Sequence, residues 1–127
     1  KELALAQYNQ GADIIFHASG STGLGVFEAA REKDKLAIGV DSDQYHEAPG
    51  HILTSMIKQV DNAVYETIEA EVNGEFQGGV KELGLKENGV GYVYDENNKH
   101  LIPDSVIAKV EEYKQDIIAG KIEVPKE

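Results

Sequence analysis

Cysteine and tryptophan are absent from the 127 residues, and basic side chains are scarce. Without cysteine the chain can hold no thiol nucleophile, zinc–thiolate site or internal disulfide, but the cellular compartment stays open because secreted proteins can also lack cysteine. The 12 Lys and Arg against 23 Asp and Glu give a formal charge of −11. Nucleic-acid binding depends on a basic face, so we expect no nucleic-acid partner.

Long hydrophobic runs are also missing. No stretch reaches the roughly 18 apolar residues of a membrane span, and no basic-then-apolar signal peptide opens the chain. The chain starts at Lys1, and residues 2–8 have the pattern of a helix, so we interpret it as a fragment or a processed piece. With 41% hydrophobic and 28% charged residues, the composition is typical of about one globular domain.

The first third of the chain has the pattern of a βαβ unit. Residues 14–18 form a short apolar run typical of a strand buried on both faces. A glycine-rich turn at residues 19–23 and a helical pattern from Leu24 to Lys33 follow. A second apolar run, residues 36–40, ends at Asp41. Two strands connected in this way are parallel, and ligands bind at their carboxyl ends.

Four further elements are predicted beyond Asp41. Residues 52–57 favour a third strand, and four branched apolar residues at a spacing of four then predict an amphipathic helix: Val60, Val64, Ile68 and Val72. Residues 83–86 and 90–94 flank an Asn-Gly pair, which predicts a β-ribbon with a tight turn. Pro103 opens a last helix that ends at Gly120.

The glycine-rich turn allows three interpretations. Gly20, Gly23 and Gly25 lie between a strand and a helix, where backbone N–H groups favour a polar ligand. Asp41 follows Gly20 by 21 residues, which is the place of the ribose-binding acid in a dinucleotide fold, but the spacing G-x-x-G-x-G departs from that fingerprint. The glycines can also be purely structural.

Metal and hydrolase sites fit the residues poorly. Asp41, Asp43, His46 and His51 are metal-ligand types, but a calcium loop that began at Asp41 would need glycine and glutamate at positions occupied by His46 and Ile52. Ser19 or Ser21 could pair with His17 and Asp41, yet the G-x-S-x-G motif is missing. We therefore expect no metal and no catalytic residue.

Lys58 and two tyrosines are weaker candidates. A lone lysine such as Lys58 is most often a solvated charge. Tyr92 and Tyr94 alternate along the predicted ribbon, where they could stack on a base, although packing across the strands is their more common role.

Three motifs resemble a known family. They are GADIIFHASGSTGLGVFEAA at residues 11–30, IGVDSDQ at 38–44 and TSMIK at 54–58. Together they resemble the basic membrane protein family, purine nucleoside receptor lipoproteins that serve ABC transporters. The likeness continues through residues 83–85, 89–92 and 102–103 and so covers essentially the whole chain.

The resemblance implies a type I periplasmic-binding-protein fold, in which two α/β lobes hold a nucleoside in the cleft between them. This chain resembles the second half only. Residues 1–51 would form the βαβ portion of the C-terminal lobe, and residues 52–79 a hinge-crossing strand and a helix that belongs to the other lobe. Residues 80–127 would form the return ribbon and the C-terminal helix.

The resemblance also implies a function. The chain would belong to the substrate-binding component of an ABC importer for nucleosides, chiefly purine nucleosides, with no enzymatic activity and no cofactor. Its partners would be the nucleoside, the transporter permease and the missing N-terminal half. The full-length protein would be lipid-anchored at the extracellular face of the membrane or in the periplasm.

By the same resemblance, Asp41 would accept the ribose hydroxyls. The Ser19-Gly20 turn would border the base or the sugar, and Lys58 would lie at the cleft, where it either orients Asp41 or contacts the ligand. Whether Phe16 or His17 faces the cleft stays open.

Two other functions stay open from the residues alone. One is a nucleotide-dependent or NAD-dependent enzyme domain built on the same βαβ unit, and the other is a structural or regulatory module without a ligand. The helix over residues 60–72 would also lack its packing partner in an isolated chain, so we expect that chain to self-associate.

Overall fold

A computed structural model describes residues 1–125. Its helices are α1 (Glu2–Asn9), α2 (Leu24–Lys33), α3 (Val60–Val72) and α4 (Asp104–Ile118). Its strands are β1 (Ile14–Phe16), β2 (Leu36–Gly39), β3 (Ile52–Lys58) and β4 (Val90–Tyr92). The sequence therefore predicted all four helices and the first three strands correctly.

A residue with a positive φ follows each of the four described helices, and after α1 it is Gly11, with a φ of 103°. Asp34 follows α2 with a φ of 52°, Gly74 lies just beyond α3 with a φ of 72°, and Gly120 lies just beyond α4 with a φ of 72°. Such residues stop a helix because the next N–H turns back to its last carbonyl groups. In the described part of the chain, each helix falls short of the length or the apolarity that a membrane span requires.

The strands form one sheet in the order β1-β2-β3-β4. β1 and β2 are parallel, with Ile14 opposite Leu36 and Phe16 opposite Ile38. β2 and β3 are also parallel, with one irregularity of register between Ala37 and Ile38. The predicted βαβ unit and the α/β fold class are thereby confirmed.

The chain divides into two compact units. The first unit comprises Lys1–Ile57 with Tyr92–Pro103, and the second comprises Lys58–Gly91 with residues 104–125. The chain passes from one unit to the other after Ile57, after Gly91 and after Pro103. The assignment of residues 52–79 and 80–127 to lobes of a larger protein stays a prediction.

The first unit has a small apolar core. Tyr8, Phe27 and Ile52 are its largest members, and five alanines fill the space around them: Ala4, Ala29, Ala30, Ala37 and Ala48. The small side chains let α1 and α2 pack closely. Tyr8 also donates a hydrogen bond of 2.8 Å to the carbonyl of Leu36 on β2. Burial raises the pKa of this phenol.

The predicted burial of β1 on both faces is wrong. Ile14 is 38% exposed and Phe16 is 51% exposed, whereas Ile15 between them packs against the core. The exposed side of the strand borders an open groove that also includes Gln7 and Gln10 of α1. Because β1 is an edge strand whose alternate side chains point to opposite faces, only Ile15 reaches the core, and Ile14 and Phe16 remain exposed.

The loop after β4 is fastened to β3 inside the first unit. Thr54 donates from its hydroxyl to the Val93 carbonyl at 2.7 Å. Asn98 is 2% exposed, and its amide donates to the carbonyls of Leu53 at 3.0 Å and Val93 at 2.9 Å. Its carbonyl oxygen accepts from the backbone N–H of Asp95 at 2.8 Å. The buried amide is therefore fully used, as a buried polar group must be.

The second unit has no comparable core. No residue between 58 and 91 or between 104 and 125 is fully buried. The apolar stripe predicted on α3 is present and exposed, from 52% at Val64 to 80% at Val72. A groove of about 480 Å³ lies between α3 and the segment Glu75 to Lys81, where Lys81 forms an ion pair of 3.3 Å with Glu66.

The predicted β-ribbon is wrong. Residues 80–89 are all described, and they contain turns but no strand. Asn88 does adopt the positive φ that its Asn-Gly pair predicts, at 53°. The turn is closed by Gly89 N–H, which donates to the Gly84 carbonyl at 2.8 Å, and not by a strand pair. β4 instead takes its place beside β3 at the end of the sheet.

Candidate functional site

Two residues other than glycine adopt left-handed conformations just beyond β1 and β2. Ala18 has a φ of 36° and lies two residues after β1, and Asp41 has a φ of 70° and lies two residues after β2. Such conformations cost free energy and cluster at functional sites. Because β1 and β2 are parallel neighbours, both residues lie at the edge of the sheet where α/β proteins bind ligands.

Asp41 is the central residue of a γ-turn. The backbone N–H of Ser42 donates to the Val40 carbonyl at 2.9 Å across it. A γ-turn with positive φ at its centre is the rarer and more strained of the two forms. Asp41 is exposed, whereas Val40 before it is buried. The turn therefore takes the chain from the core to the surface within one residue.

Ser19 and Gly20 lie in the corresponding position after β1, and both are exposed. Gly20 has a φ of 55° and opens a 3-10 turn, Gly20–Gly23, that runs directly into α2. The structure thus brings three of the four predicted site residues, Ser19, Gly20 and Asp41, to one edge of the sheet in the first unit.

His17 packs beneath this turn. Its ring occupies the space that a β-carbon on Gly23 would need. It also meets the Phe27 ring edge to face, with centroids 5.0 Å apart. The backbone N–H of Ser19 donates to His17 Nδ1 at 3.2 Å, which assigns the proton of the neutral ring to Nε2. The structure places His17 among the supports of the turn and leaves the Phe16 ring half exposed.

The hydrolase hypothesis finds no support in this geometry. Ser19 Oγ lies 3.4 Å from His17 Nδ1, beyond the range of a well-formed nucleophile–base pair. His17 Nε2 is buried and has no hydrogen-bond partner. Within the described residues no carboxylate therefore holds this ring as a triad would require.

The candidate metal ligands have separate local partners. Asp43 accepts from the Tyr45 N–H at 3.0 Å, and His46 lies 3.2 Å from the Glu47 carboxylate. His51 Nδ1 lies 3.1 Å from the Lys35 carbonyl. Between residues 1 and 125, no three side chains of the metal-binding types come together in one group.

The remaining candidates lie at the end of β3, which is parallel to β2, and at or just beyond the end of β4. Lys58, the fourth predicted site residue, is the last residue of β3, is exposed and belongs to the second unit. Tyr92 is the last residue of β4 and partly buried, and Tyr94 is 40% exposed.

The sequence alone predicts no role for Gln44 or Ser55. Gln44 Oε1 accepts from the Val40 N–H at 2.8 Å, one residue before Asp41. Ser55 is completely buried, and its Oγ accepts from the Gln44 N–H at 3.1 Å. The one available signal is Ser55 itself, a polar residue inside the apolar run of β3.

A family model for PnrA-like ABC transporter substrate-binding proteins matches residues 1–127. The chain is 41% identical to a CD4+ T-cell-stimulating antigen of Listeria monocytogenes over 98% of its length, which is 39% of that protein. It is 40% identical to basic membrane protein D of Borreliella burgdorferi, again over 98% of its length and 38% of that protein. The chain thus spans about two fifths of the curated relatives it matches.

A solved structure is also similar. The crystal structure of an ABC transporter solute-binding protein from Aeropyrum pernix K1 superposes with a TM-score of 0.83 at 29% identity. The match covers 99% of this chain and 44% of that protein. Sequence and structure comparisons therefore agree on the same class of protein.

Proposed function

The chain belongs to the family of PnrA-like ABC transporter substrate-binding proteins, and from this premise we propose that it forms part of a receptor that binds a nucleoside and delivers it to a transporter permease. The ligand would lie in the cleft between the two lobes of the full-length receptor. No chemical step is required, because the receptor captures and releases its ligand unchanged.

The γ-turn at Asp41 carries this proposal. An exposed carboxylate can accept hydrogen bonds from two vicinal hydroxyl donors, and charge-assisted bonds of this kind are stronger than neutral ones. A ribose presents such a pair, whereas a free base does not. The left-handed backbone at Asp41 costs free energy and persists only because the surrounding structure holds it. Residues held in this way cluster at ligand-binding sites, which supports a binding role for Asp41.

The end of β1 supplies the elements for the base. The ring of Phe16 is 51% exposed, so one face could stack on a planar heterocycle. The exposed Ser19-Gly20 turn offers the Ser19 hydroxyl and the Gly20 N–H for the polar edge of the base or for the sugar, while the Ser19 N–H donates to His17. We assign purine nucleosides as the preferred class, because a larger ring system gains more from stacking.

Lys58 would act at the same ligand in one of two ways. It could hold the Asp41 carboxylate ionised and oriented, since an opposite charge nearby favours the anion. It could instead donate directly to the ligand. A double-mutant cycle between Lys58 and Asp41 separates the two.

The full-length protein would be anchored at the membrane. One relative carries the name basic membrane protein, and a substrate-binding protein must meet its permease at the membrane. We propose a lipid anchor at the extracellular face or in the periplasm, with this chain as the C-terminal portion of the receptor.

Thermal-shift screening of the full-length protein tests the function. The panel contains adenosine, guanosine, inosine, cytidine, uridine, the free purine bases and NAD. A ligand that binds only the native state raises the melting temperature, so we expect purine ribonucleosides to raise it most. A shift with NAD but with no nucleoside would favour a dinucleotide-dependent enzyme, and no shift with any compound would contradict a nucleoside receptor.

A further inference from the structure

The backbone N–H and the carbonyl of Val40, the residue before Asp41, both form hydrogen bonds. Its carbonyl accepts from the Ser42 N–H at 2.9 Å, which closes the γ-turn. Its N–H donates to the side-chain oxygen of Gln44 at 2.8 Å. Val40 is therefore held on both sides: the turn bonds its carbonyl, in the peptide that joins it to Asp41, and the Gln44 side chain bonds its N–H, in the peptide that joins it to Gly39.

Gln44 is in turn held from β3. Its backbone N–H donates to Ser55 Oγ at 3.1 Å, and Ser55 is completely buried. The loop from Asp41 to Gln44 is thus attached to the neighbouring strand by a side chain that cannot move freely. A rigid neighbour of this kind is what a strained backbone requires, because a mobile partner would let the strain relax.

The absence of a side chain at Gly39 makes the arrangement possible. A β-carbon there would stand 3.0 Å from Gln44 Oε1 and would collide with Ser55 Oγ. Gly39 is buried and its φ is not in the left-handed region, so its need is for space and not for backbone freedom. Gly39, Gln44 and Ser55 form one packed group behind the turn.

We propose that Gln44, held in place by Ser55, is a positioning residue. It keeps the Asp41 turn in its strained form and thereby orients the Asp41 carboxylate. This inference rests on the proposed function, in which that carboxylate accepts the ribose hydroxyls. Loss of the Gln44 oxygen releases the Val40 N–H, and the turn relaxes toward negative φ. The Asp41 side chain then points in a different direction, although its charge and its place in the sequence are unchanged.

The test compares Gln44→Met with Gln44→Glu in the full-length protein. Methionine keeps the length of the side chain but has no acceptor oxygen, whereas glutamate keeps an acceptor for the Val40 N–H. Calorimetry uses adenosine, guanosine and inosine, each against its 2′,3′-dideoxy counterpart. For Gln44→Met we expect the best ribonucleoside to lose about tenfold or more in affinity, equal to about 1.4 kcal/mol, and the dideoxy compound to change little.

The pattern across ligands separates positioning from folding. A merely structural role would weaken both compounds of a pair alike, and that result overturns the inference, as does failure of Gln44→Glu to retain the preference for ribose. Asp41→Asn is measured in parallel. If Asp41→Asn leaves the preference for ribose unchanged, the assignment of Asp41 is wrong; if it removes the preference and Gln44→Met does not, only the positioning role is wrong.

Amide hydrogen exchange gives a readout that needs no ligand. In Gln44→Met the Val40 and Ser42 amides should exchange faster than in the wild type. The Val40 N–H loses its acceptor, the Gln44 oxygen, and the Ser42 N–H loses its hydrogen bond when the γ-turn relaxes. In Gln44→Glu both should keep wild-type protection. Unchanged exchange in Gln44→Met overturns the inference whatever the nucleoside measurements give.

Discussion

The ring of His17 packs directly against Gly23, in the space where a side chain at that position would stand. Gly23 has a φ of −59°, a backbone conformation open to any residue. The glycine is therefore required by the packing of the ring and not by the conformation of the chain. Gly20, three residues earlier, is the opposite case, with a φ of 55° and open space around it.

Gly23→Ala should destabilise the protein by about 1–3 kcal/mol, because the new methyl group must displace the His17 ring from its contact with Phe27. Urea unfolding measures the loss. His17→Ala should restore much of it in the double variant. Gly20→Ala, the matched control, should cost about 1–2 kcal/mol through backbone strain and should gain nothing from His17→Ala. Equal rescue of both glycine variants would contradict the packing argument.

Asp41→Ala in the full-length protein should weaken nucleoside binding by about 2–4 kcal/mol, because the ribose hydroxyls lose a charged acceptor in a desolvated site. Binding of a free purine base should be almost unaffected, and Asp43→Ala serves as the control for a nearby lost charge. Calorimetry that gives equal nucleoside affinity for Asp41→Ala and the wild type would remove Asp41 from the site.

Lys58→Met keeps the bulk of the side-chain stem and removes the charge. If Lys58 only orients Asp41, the affinity lost in Lys58→Met should largely disappear when Asp41 is already asparagine, because the two effects are coupled. If Lys58 contacts the ligand directly, the two losses should add. A calorimetric double-mutant cycle with one ribonucleoside decides between the roles, and additivity within error rules out orientation.

The buried phenol of Tyr8 should make the folded protein less stable at high pH. Burial raises its pKa in the folded state above the usual value near 10, so the unfolded chain loses the phenol proton first. The stabilising contribution is complete below about pH 10 and is lost as pH rises through the folded-state pKa. Tyr8→Phe should cost about 1 kcal/mol at pH 7, since the bond to the Leu36 carbonyl disappears.

The difference in unfolding free energy between wild type and Tyr8→Phe should therefore stay constant below about pH 10 and shrink as the pH rises above it. Tyr113→Phe, at a half-exposed tyrosine on α4, should retain the wild-type pH dependence. A constant difference between wild type and Tyr8→Phe above about pH 10 would mean that Tyr8 ionises equally in both states.

The exposed stripe on α3 predicts self-association of the 127-residue chain when it is studied alone. Sedimentation should show dimers or larger species, and the double variant Val64→Ser, Ile68→Ser should shift them toward a monomer of 13.9 kDa. Leu3→Ser, at an 83% exposed residue of α1, is the control and should have no such effect. A stable wild-type monomer with micromolar nucleoside affinity, about −8 kcal/mol, would contradict the prediction.

Local signals were sufficient for the helices and for three strands. The apolar spacing from Val60 to Val72 depends on neighbours within one or two turns, so it can be read along the chain. The same holds for the position of Asp41 at the end of an apolar run. The family resemblance, carried by short motifs in a fixed order, was confirmed by the matching family model.

Burial and strand pairing were decided by the tertiary structure. The run from Ile14 to Phe16 has the composition of a central strand, but only Ile15 packs against the core, whereas Ile14 and Phe16 are exposed. The Asn88-Gly89 turn was predicted correctly, yet the expected partner strand does not form because β4 lies next to β3. Pairing partners are chosen by contacts between segments distant in sequence, which no local pattern encodes.

Some features of the candidate site can likewise be located from the sequence, whereas others depend on the tertiary structure. The sequence alone locates Asp41, Ser19 and Gly20 at strand ends, because apolar runs and glycine turns mark where strands stop. Only the fold brings Ser55 of β3 against Gln44, eleven residues earlier in the chain, and turns His17 inward while Phe16 faces out. These placements depend on the register of parallel strands and on the packing of α2, whose energies arise only when separate segments meet.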